Sequence, residues 1–413
     1  MIKGGRELRG ELVVQTSKNA TLPIMSACLM SLGVITLNQT PNISDVDNMI
    51  SILSCLGVRV NKVDDAIIID PRDAHNNHID CTLSQTMRSS VFLLGSMLAR
   101  FNTATINLPG GCKIGSRPID IHIKAFKKLG VEVLDGGDVL YFDATRARAG
   151  RVKLPFPSVG ATENIIQFAS LLRGKTTIIN AAREPEVVDL CNFLNLMGAR
   201  ILGAGTNRIT IYGVDKLRSA IYRPMGDRIV SGTLMVAVAL CGGKVKLTNA
   251  VPYQNKDLIE KLSQMGCQIS CKNDIILIEN NGNITAIDEI TTESYPGFPT
   301  DLQSMMTVLS TISRGITVIN ERIFENRFLI VSELEKMGAD IRSISDHTIK
   351  VNGVSHLNGA QVEAMDLRGG ASLVLAGLAA HGETVVDGVH FIDRGYDHLE
   401  DMLTQLGAEI IRI

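Results

Sequence analysis

The sequence predicts an α/β protein of two inside-out barrels, each with buried helices inside and sheets outside. The main observation is a repeat, in which an apolar helical pattern ends at a glycine that is followed by a short strand. These glycines are Gly57, Gly130, Gly198, Gly266, Gly338 and Gly407, at intervals of 73, 68, 68, 72 and 69 residues. A repeat of about seventy residues therefore occurs six times. At 413 residues the chain exceeds the size of a single hydrophobic core, so the repeats divide into two domains of three.

The elements of each repeat follow in the order helix, strand, helix, strand, usually with a hairpin. The opening helix is apolar on nearly every side, as in residues 232–240 of the fourth repeat, which indicates burial all round. After a β-rich segment comes an amphipathic helix, whose Leu258, Leu262 and Met265 stand at helical spacing. The glycine then adopts the left-handed conformation that ends this helix, and a strand leaves it.

A boundary between the two domains is predicted near residues 217–227, where Pro and Gly interrupt the repeat. One domain is expected over 18–224. The other is expected over 1–17 together with 225–413, because residues 1–17 show strand-like alternation before the first buried helix. The chain would then cross twice between the domains, and we expect the active site in the cleft between them.

The composition disfavours several classes of protein. Hydrophobic residues make up 45% of the chain, charged residues 20%, and the net charge is −2, which argues against a general nucleic-acid binder. The eight cysteines form no CxxC pair and no metal-type spacing, which indicates a reduced, cytoplasmic chain. We recognise no signal sequence or membrane span, and we expect no metal and no cofactor. The oligomeric state is left open.

Polar and charged residues stand just before the six predicted buried helices, where free N–H groups favour anions. Serine and aspartate at this position, such as Ser158 and Asp227, are also ordinary N-cap residues. Capping does not explain Lys18, Arg88 or Arg368, because a cation opposes the helix dipole at this end. We therefore predict that these residues share an anionic ligand.

Comparison of the repeats with one another picks out further residues. Arg117 and Arg394 occupy the same position, thirteen residues before the terminal glycine, which suits a ligand held from both domains. His122 replaces an apolar residue of the other repeats and is either a core residue or a functional one. Cys112 lies in an extended glycine-rich loop beside a lysine, which favours a reactive thiolate. Asp301 is either an N-cap or an acceptor for the proton of a substrate hydroxyl.

Several segments together resemble the UDP-N-acetylglucosamine 1-carboxyvinyltransferase family of enolpyruvyl transferases. They are TSKNATLPI, TMRSSVFLLGSMLARF, LPGGCKIGSRPIDIHIKAFKKLG, PSVGATENI, AAREPEVVD, PGFPTDLQ, IFENRF, DLRGGASLVLAG and HFIDRGYDHLED. The Gly-Gly-Cys loop is specific, because the related 5-enolpyruvylshikimate-3-phosphate synthases share the fold of six repeats but not this loop. The resemblance implies transfer of the enolpyruvyl group of phosphoenolpyruvate to the 3′-hydroxyl of UDP-N-acetylglucosamine, with release of phosphate, in the first committed step of peptidoglycan synthesis.

The resemblance also implies roles for individual residues. Cys112 is expected to be the general acid at C3 of phosphoenolpyruvate and the target of fosfomycin, and Asp301 is expected to deprotonate the sugar hydroxyl. Lys18, Arg117 and Arg394 are expected to hold phosphate and carboxylate groups. The full substrate-binding set is expected to be Lys18, Asn19, Arg88, Arg117, Pro118, Ile119, Asp120, His122, Ser158, Val159, Gly160, Asp301, Ile323, Arg327, Asp366, Arg368 and Arg394.

Two other interpretations are compatible with the same repeats. The chain could transfer enolpyruvyl to another acceptor, such as shikimate 3-phosphate, or it could be a catalytically silent paralogue that binds UDP-N-acetylglucosamine. The loop around Cys112 argues against the first, and the intact set of Cys112, Asp301 and the three cations argues against the second. Phe156 stands where some family members have a lysine thought to bind the diphosphate, so the resemblance does not extend to that contact.

Overall fold

A computed structural model describes residues 1–79, 91–107, 119–137 and 139–413 of the chain. Contacts within the chain divide it into two compact units. The N-terminal unit holds the described residues of 16–225, and the C-terminal unit holds residues 1–15 together with 226–413. Each unit has a hydrophobic core of its own.

Helices and strands alternate along the described residues in the way that the repeat predicts. The helices are α1 (Lys18–Cys28), α2 (Ser44–Cys55), α3 (Leu93–Phe101), α4 (Asp120–Lys128), α5 (Val159–Leu171), α6 (Pro185–Leu196), α7 (Arg228–Cys241), α8 (Lys256–Gln264), α9 (Gln303–Thr311), α10 (Val331–Lys336), α11 (Leu367–Ala379) and α12 (Leu399–Gln405). Short 3₁₀ turns cover Pro252–Asn255, Thr300–Leu302 and Val389–Arg394.

The strands are short, and most are grouped in hairpins. They are β1 (Ile2–Lys3), β2 (Leu8–Val13), β3 (Ile35–Leu37), β4 (Arg59–Val63), β5 (Ala66–Asp70), β6 (His78–Ile79), β7 (Thr103–Asn107), β8 (Glu132–Asp135), β9 (Val139–Asp143), β10 (Arg151–Lys153), β11 (Lys175–Ile179), β12 (Arg200–Leu202), β13 (Arg208–Tyr212), β14 (Ala220–Tyr222), β15 (Gly243–Thr248), β16 (Gln268–Lys272), β17 (Ile275–Asn280), β18 (Glu289–Thr291), β19 (Ile316–Asn320), β20 (Asp340–Ser345), β21 (Thr348–Asn352), β22 (Gln361–Glu363), β23 (Glu383–Asp387) and β24 (Glu409–Ile410).

Three four-stranded sheets belong to the N-terminal unit, in the orders β14-β3-β5-β4, β6-β7-β9-β8 and β10-β11-β13-β12. In each sheet an edge strand runs parallel to its neighbour, and the remaining strands are antiparallel, as β10, β11, β13 and β12 show. Strand β14 closes this unit, because it follows the third repeat and pairs with β3 of the first, with Ala220 opposite Ile35.

Three further sheets belong to the C-terminal unit, in the orders β16-β17-β15-β2, β18-β19-β21-β20 and β22-β23-β1-β24. Strand β2 pairs parallel with β15, with Leu8 opposite Gly243. Strand β1 lies between β23 and β24 and is antiparallel to both, so it occupies the place of a hairpin strand in the sixth repeat. The predicted fold class is confirmed, with six repeats, three in each unit, and the sheets outside the helices.

The opening helix of each repeat lies in the interior, and some of its polar groups bond to polar groups of neighbouring helices there. In α7, every residue from 228 to 240 is buried. In the N-terminal unit the Ser26 hydroxyl of α1 lies 2.9 Å from Ser96 of α3 and donates to Oε1 of Gln167 of α5 at 2.8 Å. A buried polar group without a hydrogen bond costs free energy, so these contacts favour one arrangement of the three helices.

The glycine after each second helix has a left-handed backbone, as predicted. The φ values are +87° at Gly57, +84° at Gly130, +104° at Gly198, +112° at Gly266, +89° at Gly338 and +99° at Gly407. Apart from its two chain neighbours, no atom of the described residues lies within 4 Å of the place that a Cβ of residue 198 would take. The backbone conformation, rather than lack of space, therefore requires glycine at that position.

We predict that Gly198→Ala destabilises the N-terminal unit by about 1–2 kcal/mol, the cost of a left-handed alanine. This corresponds to a midpoint of thermal unfolding lower by roughly 2–8 °C. Gly150→Ala in the same unit is the matched control, because Gly150 has its nearest neighbour at 3.8 Å and no left-handed φ. Equal midpoints for the two variants would contradict the conformational explanation.

Candidate active site

Asp301 of the C-terminal unit accepts hydrogen bonds from two buried arginines. It lies in the 3₁₀ turn Thr300–Leu302, directly before α9. Arg327 Nη2 donates to its Oδ1 at 2.6 Å, and Arg368 Nη2 donates to its Oδ2 at 3.2 Å. The arginine side chains are 3% and 4% exposed, whereas the Asp301 side chain is 25% exposed. Two buried cations thus orient a carboxylate that solvent still reaches.

Both arginines keep donors without a partner among the described residues, namely Nε and Nη1 of Arg327 and Nη1 of Arg368. Arg327 lies over the ring of Phe324 at 5.2 Å, and Arg368 lies over the ring of Tyr396 at 5.5 Å. Burial opposes the charge of Arg368, but Asp301 and Tyr396 outweigh it, so the pKa of this guanidinium is raised. Fixed guanidinium groups with spare donors suit the oxygens of an anion.

Asp366 caps the helix that carries Arg368. Its Oδ1 accepts hydrogen bonds from the backbone N–H groups of Arg368 and Gly369, both at 3.0 Å. It thereby fixes the first turn of α11, from which Arg368 reaches Asp301. A predicted site residue is therefore an N-cap here, and its link to Asp301 runs through Arg368.

Lys18 of the N-terminal unit is paired with Asp45, an acid that the sequence analysis did not single out. The Lys18 Nζ lies 2.7 Å from Oδ2 of Asp45, and the two side chains are 11% and 2% exposed. Removing one partner of such a buried pair typically costs about 3–5 kcal/mol, because it leaves an uncompensated charge. The sequence could have indicated Asp45 by its position in the repeat. Ser44 stands in the first repeat where Arg117 and Arg394 stand in theirs, and Asp45 is the next residue.

Ser158 is the N-cap of α5, and the ring of His122 lies against Gly160 in the first turn of that helix. Ser158 Oγ caps the helix by accepting a hydrogen bond from the N–H of Ala161 at 3.3 Å. A Cβ on Gly160 would lie 3.1 Å from Cε1 of His122, so glycine leaves room for the imidazole. The structure thus brings His122 together with Gly160, another residue of the predicted binding set, in the first turn of α5.

His122 is held by Asn164, which the sequence analysis missed. The Asn164 amide donates to Nδ1 of His122 at 2.9 Å and to the carbonyl of Val91 at 2.8 Å, while its Oδ1 accepts from the N–H of Gly95 at 2.6 Å. Because Nδ1 accepts, the proton of the neutral ring is on Nε2. Burial lowers the pKa of His122 to about 4, although Asp120 acts to raise it. The imidazole is therefore a neutral donor through Nε2.

The remaining residues of the predicted set fall into two groups. Half-buried residues in the described part are Asn19, Ile119, Asp120, Ile323 and Arg394. Asp120 bonds to Lys124 at 2.7 Å, and this bond lowers the pKa of its carboxyl group. The other predicted residues lie outside the described residues, and they are Arg88, Cys112, Arg117 and Pro118.

The described residues contain no group of three or more His, Cys, Asp or Glu side chains that could hold a metal ion. Across the same ranges, none of the helices has both the length and the apolar character needed to cross a membrane.

The depressed pKa of His122 predicts a loss of stability in acid. Unfolded His122 would take up a proton near pH 6.5, whereas the folded ring stays neutral down to about pH 4. Stability therefore falls as the pH falls through this window, and the contribution of His122 is about 1–2 kcal/mol by pH 5.

Urea unfolding at pH 7.5 and pH 5 should accordingly show a smaller acid loss for His122→Gln than for the unchanged protein. The same substitution at His75, an exposed histidine of the same unit, serves as the control. If His122→Gln and His75→Gln lose equal stability between the two pH values, the assigned burial of a neutral imidazole is wrong.

The chain is similar to known proteins over nearly its whole length. The family model of EPSP synthase (3-phosphoshikimate 1-carboxyvinyltransferase) matches residues 2–403. UDP-N-acetylglucosamine 1-carboxyvinyltransferase 2 of Caldanaerobacter subterraneus subsp. tengcongensis is 46% identical over 412 residues, covering 100% of this chain and 99% of that protein. The UDP-N-acetylglucosamine 1-carboxyvinyltransferase of Photorhabdus laumondii is 42% identical over 413 residues, covering 100% and 98%.

Solved structures share the fold at lower identity. The enolpyruvyl transferase NikO from Streptomyces tendae has a TM-score of 0.87 at 22% identity, covering 99% of this chain and 97% of that one. EPSP synthase from Acinetobacter baumannii has a TM-score of 0.74 at 17% identity, covering 98% and 97%. Together with the full-length relatives, these similarities identify the family. The chain belongs to the EPSP synthase family of enolpyruvyl transferases, in its UDP-N-acetylglucosamine 1-carboxyvinyltransferase branch.

Proposed function

We propose that this chain transfers the enolpyruvyl group of phosphoenolpyruvate to the 3′-hydroxyl of UDP-N-acetylglucosamine and releases phosphate. The observation that carries the proposal is the Asp301 carboxylate, held by two buried guanidinium groups in a chain whose relatives are named for this activity. The reaction would commit UDP-N-acetylglucosamine to peptidoglycan synthesis in the cytoplasm, and so bear on cell shape and division.

Asp301 acts in this proposal as the base for the sugar hydroxyl. As the hydroxyl oxygen forms a bond to C2 of phosphoenolpyruvate, its proton passes to a carboxylate oxygen of Asp301. The hydrogen bonds from Arg327 and Arg368 fix both oxygens of that carboxylate. Its exposed part accepts a hydrogen bond from the sugar hydroxyl. Fixed geometry of this kind contributes to rate because reacting atoms are held at contact distance.

Cations accommodate the negative charge of the substrates. Lys18, Arg117 and Arg394 bind the phosphate and carboxylate groups of phosphoenolpyruvate. The guanidinium donors of Arg327 and Arg368 that have no partner among the described residues suit the same kind of anion. Preplaced cations stabilise the charge that shifts during addition without reorganising at that moment.

Cys112, which lies outside the described residues, completes the reaction as the general acid. Its thiol proton goes to C3 as the new C–O bond forms at C2, giving a tetrahedral adduct. The thiolate left on Cys112 then takes back a proton from C3 as phosphate leaves C2, which restores both the double bond and the thiol. The same thiol would form a covalent adduct with fosfomycin. His122 with residues 158–160, and Asn19, Arg88, Ile119, Asp120 and Ile323, would bind the nucleotide sugar.

The direct test is phosphate release from phosphoenolpyruvate with UDP-N-acetylglucosamine as acceptor. We expect turnover that fosfomycin abolishes, and no turnover with shikimate 3-phosphate as the acceptor. Cys112→Ser should lose ordinary turnover and fosfomycin sensitivity, whereas Cys28→Ser, at a buried cysteine of α1, should keep both. Turnover with shikimate 3-phosphate alone would assign another acceptor, and binding of UDP-N-acetylglucosamine without turnover would assign a silent paralogue.

We predict that Asp301→Asn lowers kcat by about 10²–10⁴-fold, the usual contribution of a positioned base. The affinity for UDP-N-acetylglucosamine, measured by calorimetry, should change far less, because the amide still fills the position. Asp257→Asn, at a half-buried acid of α8 in the same unit, should leave kcat within about twofold. An Asp301→Asn variant with unchanged kcat would remove the base from the mechanism.

A further inference from the structure

Glu321 is a buried carboxylate whose partners are all neutral. It directly follows β19 and has 0% exposure. Its Oε1 accepts hydrogen bonds from Oγ1 of Thr292 at 2.9 Å and from the N–H groups of Ile323 and Phe324 at 2.8 and 3.0 Å. Its Oε2 accepts from Oγ1 of Thr300 at 2.8 Å. Burying a charge is costly unless its bonding capacity is met, and these donors meet it.

The fold itself does not require a carboxylate at this position. The equivalent position can be recognised in four repeats by one backbone hydrogen bond. In each, a residue that follows the first strand of an antiparallel pair (β3, β11, β15 or β19) donates its N–H to the carbonyl of the residue just before the second strand (β5, β13, β17 or β21). These pairs are Thr40 with Asp65, Ala181 with Asn207, Ala250 with Asp274, and Glu321 with His347. Equivalent positions thus hold threonine or alanine in the other three repeats. A costly buried acid in only one of these repeats points to a role beyond folding.

Three of the four partners of Glu321 belong to the two segments that carry Asp301 and Arg327, and the fourth, Thr292, directly follows β18. Thr300 directly precedes Asp301, and Phe324 lies under the guanidinium of Arg327. Arg327 in turn donates to Asp301 at 2.6 Å. Glu321 is therefore hydrogen-bonded to both segments, and the segments are also joined to each other by the ion pair of Arg327 with Asp301.

We propose that Glu321 is a positioning residue for Asp301, an inference that rests on the proposed function. Its Oε2 fixes the turn that bears Asp301, and its Oε1 fixes the turn that leads to Arg327. The Asp301 carboxylate and the Arg327 guanidinium that orients it are thereby held at a fixed distance from each other. Displacement of a reacting group by about 1 Å can cost on the order of 10²-fold in rate.

The test compares Glu321→Gln with Glu333→Gln. In the glutamine variant an NH₂ group replaces one acceptor oxygen and faces a donor, so at least one bond is lost. We expect kcat for phosphate release to fall by roughly 10–100-fold, with the KM for UDP-N-acetylglucosamine within about threefold. Glu333 is a buried acid of the same unit that bonds to Lys336 and to the N–H of Glu363. Its variant should keep kcat within about twofold at a comparable loss of thermal stability.

Two further variants separate positioning from folding. Glu321→Asp keeps the charge but is one methylene shorter, so its kcat should lie between those of Glu321→Gln and the unchanged protein. Thr300→Val removes only the hydroxyl that bonds to Oε2, and it provides the test if Glu321→Gln does not fold. We expect a fall in kcat of several-fold at constant KM, whereas Thr307→Val, at a buried threonine of α9, should leave kcat unchanged.

The outcomes distinguish this inference from the proposed function. If the unchanged protein releases no phosphate with UDP-N-acetylglucosamine, the proposed function fails. If it is active and both Glu321→Gln and Thr300→Val keep its kcat, Glu321 does not position Asp301. A fall in kcat that the Glu333→Gln control reproduces at equal stability would likewise overturn the assignment, because the effect would then be structural.

Discussion

The structure depends on one constraint, which is that the opening helix of every repeat is apolar on nearly all sides. Such a helix is stable only where other elements cover it completely. Three of them meet in each unit, and the sheets must then lie outside. The faces of these helices hold only scattered polar groups, such as the bonded set of Ser26, Ser96 and Gln167. Polar chemistry is consequently concentrated at the helix ends, where Ser158, Asp227 and Asp366 provide N-caps.

Charges at these ends are partly or wholly removed from water, so pairing with an opposite charge affects stability more than the N-caps do. A cap contributes about 1 kcal/mol, whereas an unpaired buried charge costs several. Lys18 accordingly has Asp45 at 2.7 Å, and Arg327 and Arg368 share Asp301. The helix dipole, worth at most about 2 kcal/mol, is outweighed by such pairs. This explains how cations persist at helix N-termini, where the sequence alone suggested that they are out of place.

The parts of the fold that local pattern determines could be predicted from the sequence. The terminal glycines, the buried helices and the hairpins each depend on residues close together in the chain. The partners Asp45, Asn164 and Glu321 could not be predicted in that way, because each contacts a residue of another element, such as Asp45 with Lys18 and Asn164 with His122. Alignment of the repeats could nevertheless have indicated Glu321, because an acid stands there where three other repeats have alanine or threonine. The roles of all the predicted site residues stay predictions, and Arg88, Cys112, Arg117 and Pro118 also lie outside the described residues.

The charge of the neighbouring site explains why the groups that donate hydrogen bonds to Glu321 are neutral. Asp301 offsets one of the two charges of Arg327 and Arg368, and Asp227 also stabilises the charge of Arg368, while Nε and Nη1 of Arg327 and Nη1 of Arg368 have no partner among the described residues. If Glu321 were instead paired with Arg327, it would offset the charge of that arginine as well and would occupy its donors. Hydroxyl and backbone N–H groups satisfy the buried acid without using a cation. The same turn can therefore be held rigidly while the guanidinium groups keep their attraction for phosphate or carboxylate oxygens.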